Sequence, residues 1–378
     1  MIDLLNVYTF NRCRMRALRL GLGIVALFSL CGCSTVSFYL QAIGGHMDIM
    51  VRREPVAELL ETESDGELKQ QLILAMQARD YASEQLGLPD NGSYRSYVDL
   101  QRQYVTWNVI ATEEFSVQAR EWCFPIAGCV PYRGYFSQQA AHQFGARLSE
   151  QALDVHVNGA TAYSTLGWFD DPLLSTMLQW RETRLVGVIF HELAHQVAWA
   201  ENDTTFNESF AVFVQREGVR KWLGERGAAA QIDDYERRIR RQREFVSMLL
   251  ETRETLADLY AGSADSATMR ADKKQVFALM REHYAALKTN DWDNYSGYDY
   301  WFDEPLNNAR LALAATYNDY VDSFARLFTR AGGDFATFYE RVQALAELPG
   351  EQRESKLREL AEFDPESTRL SAIRGTTP

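Results

Sequence analysis

The chain has 378 residues, 46% of them hydrophobic and 24% charged, with a formal charge of −13. That length allows a large core and more than one compact unit. The acidic balance argues against a nucleic-acid partner, because phosphate binding needs clustered lysine and arginine, and no internal repeat or low-complexity tract is visible.

The N-terminus reads as an address before it reads as structure. Arg12, Arg14, Arg16 and Arg19 form a positive region ahead of the apolar run "LGLGIVALFSL", which ends at Leu30. The run is too short to anchor by spanning a bilayer. It continues into "LCGCS", which resembles the bacterial lipobox, where the cysteine after a leucine and small residues is lipidated and becomes the new N-terminus. Cys33 matches that position. The resemblance implies a signal peptide over residues 1–32, a lipid anchor without a transmembrane helix and export to an oxidising compartment. Ser34 rather than Asp after the cysteine implies, by the same resemblance, the outer membrane facing the periplasm of a Gram-negative cell. A plain secretory signal is the alternative, and Met15 is a second candidate start beside Met1.

Beyond this segment, "ELLETESDGELKQQLILAMQARDYASEQLG" has helical periodicity, and residues 36–88 are predicted helical, stopping at Gly87 and Pro89. From "GSYRSYVDLQRQYVTWNVIATEEF" onward, Tyr, Val, Thr and Trp alternate with polar residues and predict strands. Cys123 and Cys129 follow in "WCFPIAGCVPYRGYF". With Pro125 and Gly128 between them, a disulfide-closed loop is the favoured reading, and metal binding the weaker one, because no histidine lies in that loop. "VPYRGYF" offers a strand, "SQQAAHQFGARLSEQALD" a helix and "VHVNGATAYST" a further strand, so a small, mainly antiparallel sheet is expected between about residues 92 and 165.

After Pro172 the pattern is helical almost throughout, and the final stretch from residue 346 is polar and reads as peripheral. The expected fold is α+β: a small mainly antiparallel sheet packed on a helical majority. One domain over residues 33–345 would carry a sheet-bearing part at about 90–170 and a helical part at about 172–345, followed by a polar tail over 346–378.

The chemistry concentrates in "VIFHELAHQVAWAENDTTFNESFAVF", residues 188–213. His191 and His195 are four apart, so on a helix they stack one turn apart on the same face and can reach one metal ion. Glu192 projects beside them, where it can polarise a metal-bound water instead of binding metal. The bland alternative is a core helix with two hydrogen-bonded histidines. A catalytic zinc takes three protein ligands. Glu208 is the best third, since the chain can leave one helix through "AENDTT" and return along a second. Its competing role is helix capping, because Thr205-x-x-Glu208 fits a capping box. Glu201 and Asp203 are the other candidates. His142 and His156 read as structural.

"HELAHQ" at 191–196 and "NESFA" at 207–211 resemble the two zinc-helix motifs of the gluzincin metallopeptidases, and are most similar to those of the gluzincin aminopeptidases. Together with the lipobox, "CFPIAGCVPYRGYF" and "AYSTLGWFDDP", they resemble a narrower group of bacterial lipoproteins described as aminopeptidases. The resemblance implies a zincin-like cleft between a sheet-bearing half and a helical half, and one Zn2+ held by His191, His195 and Glu208. It also implies Glu192 as catalytic base, and peptide substrates. Two departures stand out. The His195-to-Glu208 gap is shorter than in thermolysin-like enzymes, and Ala162 in "NGATAYST" stands where the aminopeptidases carry an amine-binding glutamate.

The reaction also needs a neutral donor for the developing oxyanion. Tyr163, Tyr295, Tyr298 and Tyr300 are the candidates, with Tyr317 further on. Peptide pairing along "GATAYST" would orient the substrate. Three functions follow as expectations: an envelope aminopeptidase, a metallo-endopeptidase on envelope proteins or peptidoglycan cross-links, and a non-catalytic zinc-binding lipoprotein.

Overall fold

The computed structural model describes residues 38–124, 128–162, 164–165, 167–312 and 320–362. Cys33, the expected signal peptide, Tyr163 and Tyr317 lie outside the described residues. The chain divides into two compact units, Met1–Arg52 and Arg53–Pro378. In the first, residues 38–52 form helix α1. No described helix is long and apolar enough to cross a membrane.

The second unit starts with a short strand β1 (Glu54–Pro55), helix α2 (Val56–Thr62) and helix α3 (Gly66–Leu86). Asp65 caps α3 by accepting from the amides of Glu67 and Leu68, and Gly87 ends it in the left-handed region at φ 66°. The stop expected at Gly87 is observed, whereas the stretch expected to be helical is interrupted by β1 and by residues 63–65, where Asp65 starts a new helix.

Strands β2 (Ser96–Val98), β3 (Thr106–Thr112), β4 (Trp122–Phe124), β5 (Gly128–Val130) and β6 (Arg133–Tyr135) follow, then helix α4 (Gln138–Ser149) and strands β7 (Asp154–Ala160) and β8 (Leu173–Leu174). They form three small sheets, ordered β1-β2-β8, β6-β3-β7 and β4-β5. The one sheet expected from the alternation is therefore divided. Strand β8 runs parallel to β2, with Tyr97 opposite Leu173, a long-range pairing that no local pattern announces. The β4–β5 hairpin pairs with itself, and a disulfide joins Cys123 to Cys129 across it. The central strand β3 pairs antiparallel with both neighbours, and α4 covers its sheet closely enough that a Cβ at Gly145 would sit 3.3 Å from Val155 and Val157.

The helical part comprises α5 (Ser175–Leu178), α6 (Glu182–Ala194), α7 (Thr204–Glu225), α8 (Ala229–Ala261), α9 (Ser266–Ala286), α10 (Asn308–Leu311), α11 (Val321–Arg330), α12 (Phe335–Ala346) and α13 (Gly350–Glu362). Helices are the majority and strands the minority, an α+β fold. Helices α6 and α7 pack together through Phe190, which leaves no room for a side chain at Gly218: a Cβ there would lie 2.7 Å from the Phe190 ring and 2.8 Å from Leu86. On its other side α7 buries Phe206 and Phe210 against Phe324, with Phe338 and Tyr339 also around Phe210.

The stretch expected to be a polar peripheral tail contains a docked helix. In α13, Arg353, Leu357 and Leu360 recur at helical spacing and are buried. Ser323 donates to the Leu357 carbonyl at 2.8 Å, and Arg326 to that of Leu360 at 2.9 Å. The remaining positions of α13 are mostly charged, which is why its composition reads as solvent-facing.

Candidate metal centre

Helix α6 carries the first three residues of the site. Leu185, Val186, Ile189, Phe190, Leu193 and Ala194 are buried, so this helix is fixed on its apolar sides and presents His191 and His195 on the remaining one. The helix closes at Ala194, and His195 occupies the C-cap in right-handed helical geometry (φ −58°, ψ −22°). The one-turn stacking of the two rings therefore survives the helix end.

The chain then leaves and returns along α7, whose start is tightly specified. Asp203 is the N-cap and accepts from the Phe206 amide at 2.9 Å. Asn207 clasps the preceding loop at two points: its Oδ1 accepts from the Ala200 amide at 2.8 Å and its Nδ2 donates to the Ala200 carbonyl at 2.9 Å. The cap role open to Glu208 from its spacing to Thr205 thus belongs to Asp203 instead. Glu208, one turn inside α7, turns toward the histidines.

The three groups converge. His191 Nε2 lies 3.2 Å from His195 Nε2, 3.4 Å from Glu208 on one carboxylate oxygen, and His195 Nε2 lies 3.7 Å from the other. The rings are nearly perpendicular at 87°. His191, His195 and Glu208 form a group that could hold a metal ion, with one ligand atom from each lying within 4.8 Å of the others. The donor set suits a borderline-soft divalent ion: two imidazole nitrogens and one carboxylate. Asp203 is occupied by the cap and by Arg353, and Glu201 is solvent-exposed, so neither joins the group.

The charges reinforce this arrangement. Burial alone would lower the His191 imidazole, but the Glu208 carboxylate, then Glu192 and the Gln215 amide beside it, raise it. Burial and the neighbouring His191 push His195 down to about 4, which favours the neutral imidazole, the form able to bind a metal ion. Burial would raise Glu208, yet the two histidines hold it below the usual carboxylate range. Burial pushes Glu192 up to about 7, with Glu208 and Asp171 adding to the rise.

Four more residues stand around Glu192, and of these only Asp171 carries a signal in the sequence, as one of the acids open to amine recognition. Tyr94 is buried at 1% exposure with φ 63°, an uncommon conformation for a bulky side chain. Burial, then the Glu192 and Asp171 carboxylates, raise its phenol well above the ordinary value. Asp171, also 1% exposed, accepts from the Thr165 amide at 2.7 Å and the Ser164 hydroxyl at 3.2 Å. Ser164 in turn bonds Glu192 and helps to offset its raised pKa. Tyr132, between β5 and β6, feels both Glu208 and Glu192, and burial followed by those two charges raises its phenol.

Of the tyrosines expected as oxyanion donors, Tyr163 lies outside the described residues, and Tyr295 and Tyr298 are engaged in an aromatic core. Tyr298 stacks on Phe245 at 4.2 Å, Tyr295 sits under the Arg241 guanidinium at 4.7 Å, and both pack on the core cluster around Phe245, Met248 and Trp292. Tyr300 is 65% exposed. The clustering of Tyr295 and Tyr298 in sequence reflects that aromatic core. Four acids in the sequence could take the place of the missing amine-binding glutamate: Asp170, Asp171, Glu182 and Glu201. Glu182 is engaged by Trp222 and Arg226, Asp170 and Glu201 are exposed, and Asp171 acts on Glu192.

Comparison with curated proteins and with solved structures returned no match for either. A protein family does match, over residues 37–357, a span that holds the histidine helix, α7 and most of α13. The chain belongs to that family, which is described as "Putative aminopeptidase".

Proposed function

We propose that the protein is a zinc-dependent aminopeptidase acting on peptides at the cell envelope, with one zinc ion on His191, His195 and Glu208 and with Glu192 as general base. Family membership supports peptidase chemistry. The observation that carries the finer reading is the convergence of two imidazole nitrogens and one carboxylate beside a second, half-buried carboxylate outside the ligand set. Three protein ligands leave a tetrahedral position for substrate or water, the pattern of a catalytic rather than a structural zinc.

Zinc, when bound, would supply a Lewis acid that polarises a carbonyl and acidifies water. Glu192 takes the proton from the attacking water and passes it to the departing amine. Tyr132, kept protonated by its burial, is the neutral donor for the developing oxyanion. Strand β7 lies at the edge of its sheet and offers a backbone along which a peptide can pair. The site would occupy a cleft between the strand-bearing and helical parts. Lipidation at Cys33 would hold the enzyme on the outer membrane, facing the periplasm.

A second reading, an endopeptidase on envelope proteins or peptidoglycan cross-links, is favoured by one observation. Ala162 stands where an amine-binding glutamate would be, and Asp171 beside the site is buried and committed to Ser164 and Thr165. The test assays wild-type protein and a Glu192→Gln variant on free and N-acetylated peptides, the variant testing the mechanism and the wild type the specificity. Loss of turnover with zinc retained supports the mechanism, and retained turnover contradicts it. Cleavage at the first bond only when the amine is free marks the aminopeptidase, and cleavage of acetylated peptides marks the endopeptidase.

A further inference from the structure

Three exposed aromatic side chains lie on segments that meet the C-terminal end of the histidine helix, at His195 and Gln196. Trp199 is 43% exposed and stands edge-on to the His195 ring at 5.6 Å. Trp168 and Phe169 are 74% and 51% exposed. Large apolar groups left this open, on segments next to reactive residues, are a mark of a binding surface.

The segment carrying Trp168 and Phe169 is fixed to the site at both ends. Thr165 Oγ1 accepts from the Phe169 amide at 3.1 Å and donates to the Phe169 carbonyl at 3.2 Å. The Thr165 amide is held by Asp171, whose charge acts on Glu192. Gly167, at φ 82°, packs against Gln196, where a Cβ would meet the Gln196 Cγ at 3.3 Å. The Gln196 side chain is itself held by Asn91 at 2.7 Å and Ser93 at 3.3 Å. Trp168 and Phe169 are thus anchored beside Gln196, and Trp199 stands beside His195, its neighbour in the chain.

We infer that Trp168, Phe169 and Trp199 form a rim that receives an apolar side chain of the peptide next to the cleaved bond. This rests on the peptidase reading and specifies its substrate class as peptides with a large apolar residue at that position. Covering indole faces with a leucine or phenylalanine side chain removes apolar surface from water on both partners. Aspartate offers no such gain, and discrimination of about 10–100-fold follows.

The test has two arms, each on the full mature chain. In the first, zinc-loaded protein is assayed on peptides that differ only in Phe, Leu or Asp at the tested position. A preference of about 10-fold or more for Phe and Leu is expected, and a Trp168→Ser/Phe169→Ser variant should lose it through KM with its zinc content unchanged. In the second, calorimetry measures binding of Phe-Ala and Asp-Ala to Glu192→Gln protein with and without those two changes. Tighter Phe-Ala binding that the changes abolish supports the rim even if no peptide is ever cleaved, in which case the peptidase reading alone falls. Equal binding of the two dipeptides, or a preference that survives the changes, overturns the rim whatever the turnover.

Discussion

Arg353 and Asp203 are joined across 150 residues of sequence by a 2.7 Å charged hydrogen bond, and the other oxygen of the same carboxylate caps the helix that carries Glu208. Arg353 is deeply buried, lies over the Phe206 ring at 5.4 Å and donates also to the carbonyls of Ala346 and Leu348. Helix α13 therefore fixes the start of α7 and, through it, Glu208, the proposed third ligand. Arg353→Ala should cost about 2–3 kcal/mol of stability, since it leaves a partly buried carboxylate unpaired. Urea unfolding of the metal-free protein checks this. A loss below about 0.5 kcal/mol, the usual scale of a surface change, would show that α13 contributes little to the site.

Tyr132→Phe removes one hydroxyl and little volume. It should lower kcat by about 100-fold, as removal of an oxyanion donor does elsewhere, with KM and zinc content near wild type. Steady-state kinetics on one peptide with parallel metal analysis separates the outcomes. An unchanged kcat would return the donor role to another group, Tyr163 among them.

His156 on β7 makes the stability pH-dependent. Burial, with Arg310 nearby, lowers its imidazole to about 4 from an ordinary 6.5. Glu304 lies 3.9 Å away but is 67% exposed, too solvated to hold a charge on the ring against that burial. The folded chain therefore prefers neutral His156. Its contribution is fully present above pH 6.5 and is lost as pH falls toward 4, because only the unfolded chain takes up the proton. Across that window wild type should lose up to about 3 kcal/mol more than a His156→Gln variant. Denaturant midpoints at the two ends of the window measure the difference, and parallel losses in both proteins would contradict it.

Much of the fold and half of the site are legible because the rules that set them are local. Apolar periodicity marks α6 and α7, and the four-residue spacing of His191 and His195 dictates a shared helix face whatever surrounds it. Glu208 is ambiguous at that level, since capping and ligation share its spacing to Thr205. Only the helix start at Thr204, set by Asp203, resolves it. Tyr94 and Tyr132 are illegible for the opposite reason: they reach Glu192 from separate loops, and no period or spacing encodes such meetings. The β2–β8 pairing and the docking of α13 belong to the same class, long-range contacts made by short or polar segments.

The most direct test is the zinc content of the purified mature protein, wild type against Glu208→Ala. The account predicts about one zinc per wild-type chain and its loss, or a large fall in affinity, in the variant. Equal zinc in both proteins would place the third ligand elsewhere, and a wild-type chain that takes up no zinc would contradict the metallopeptidase account.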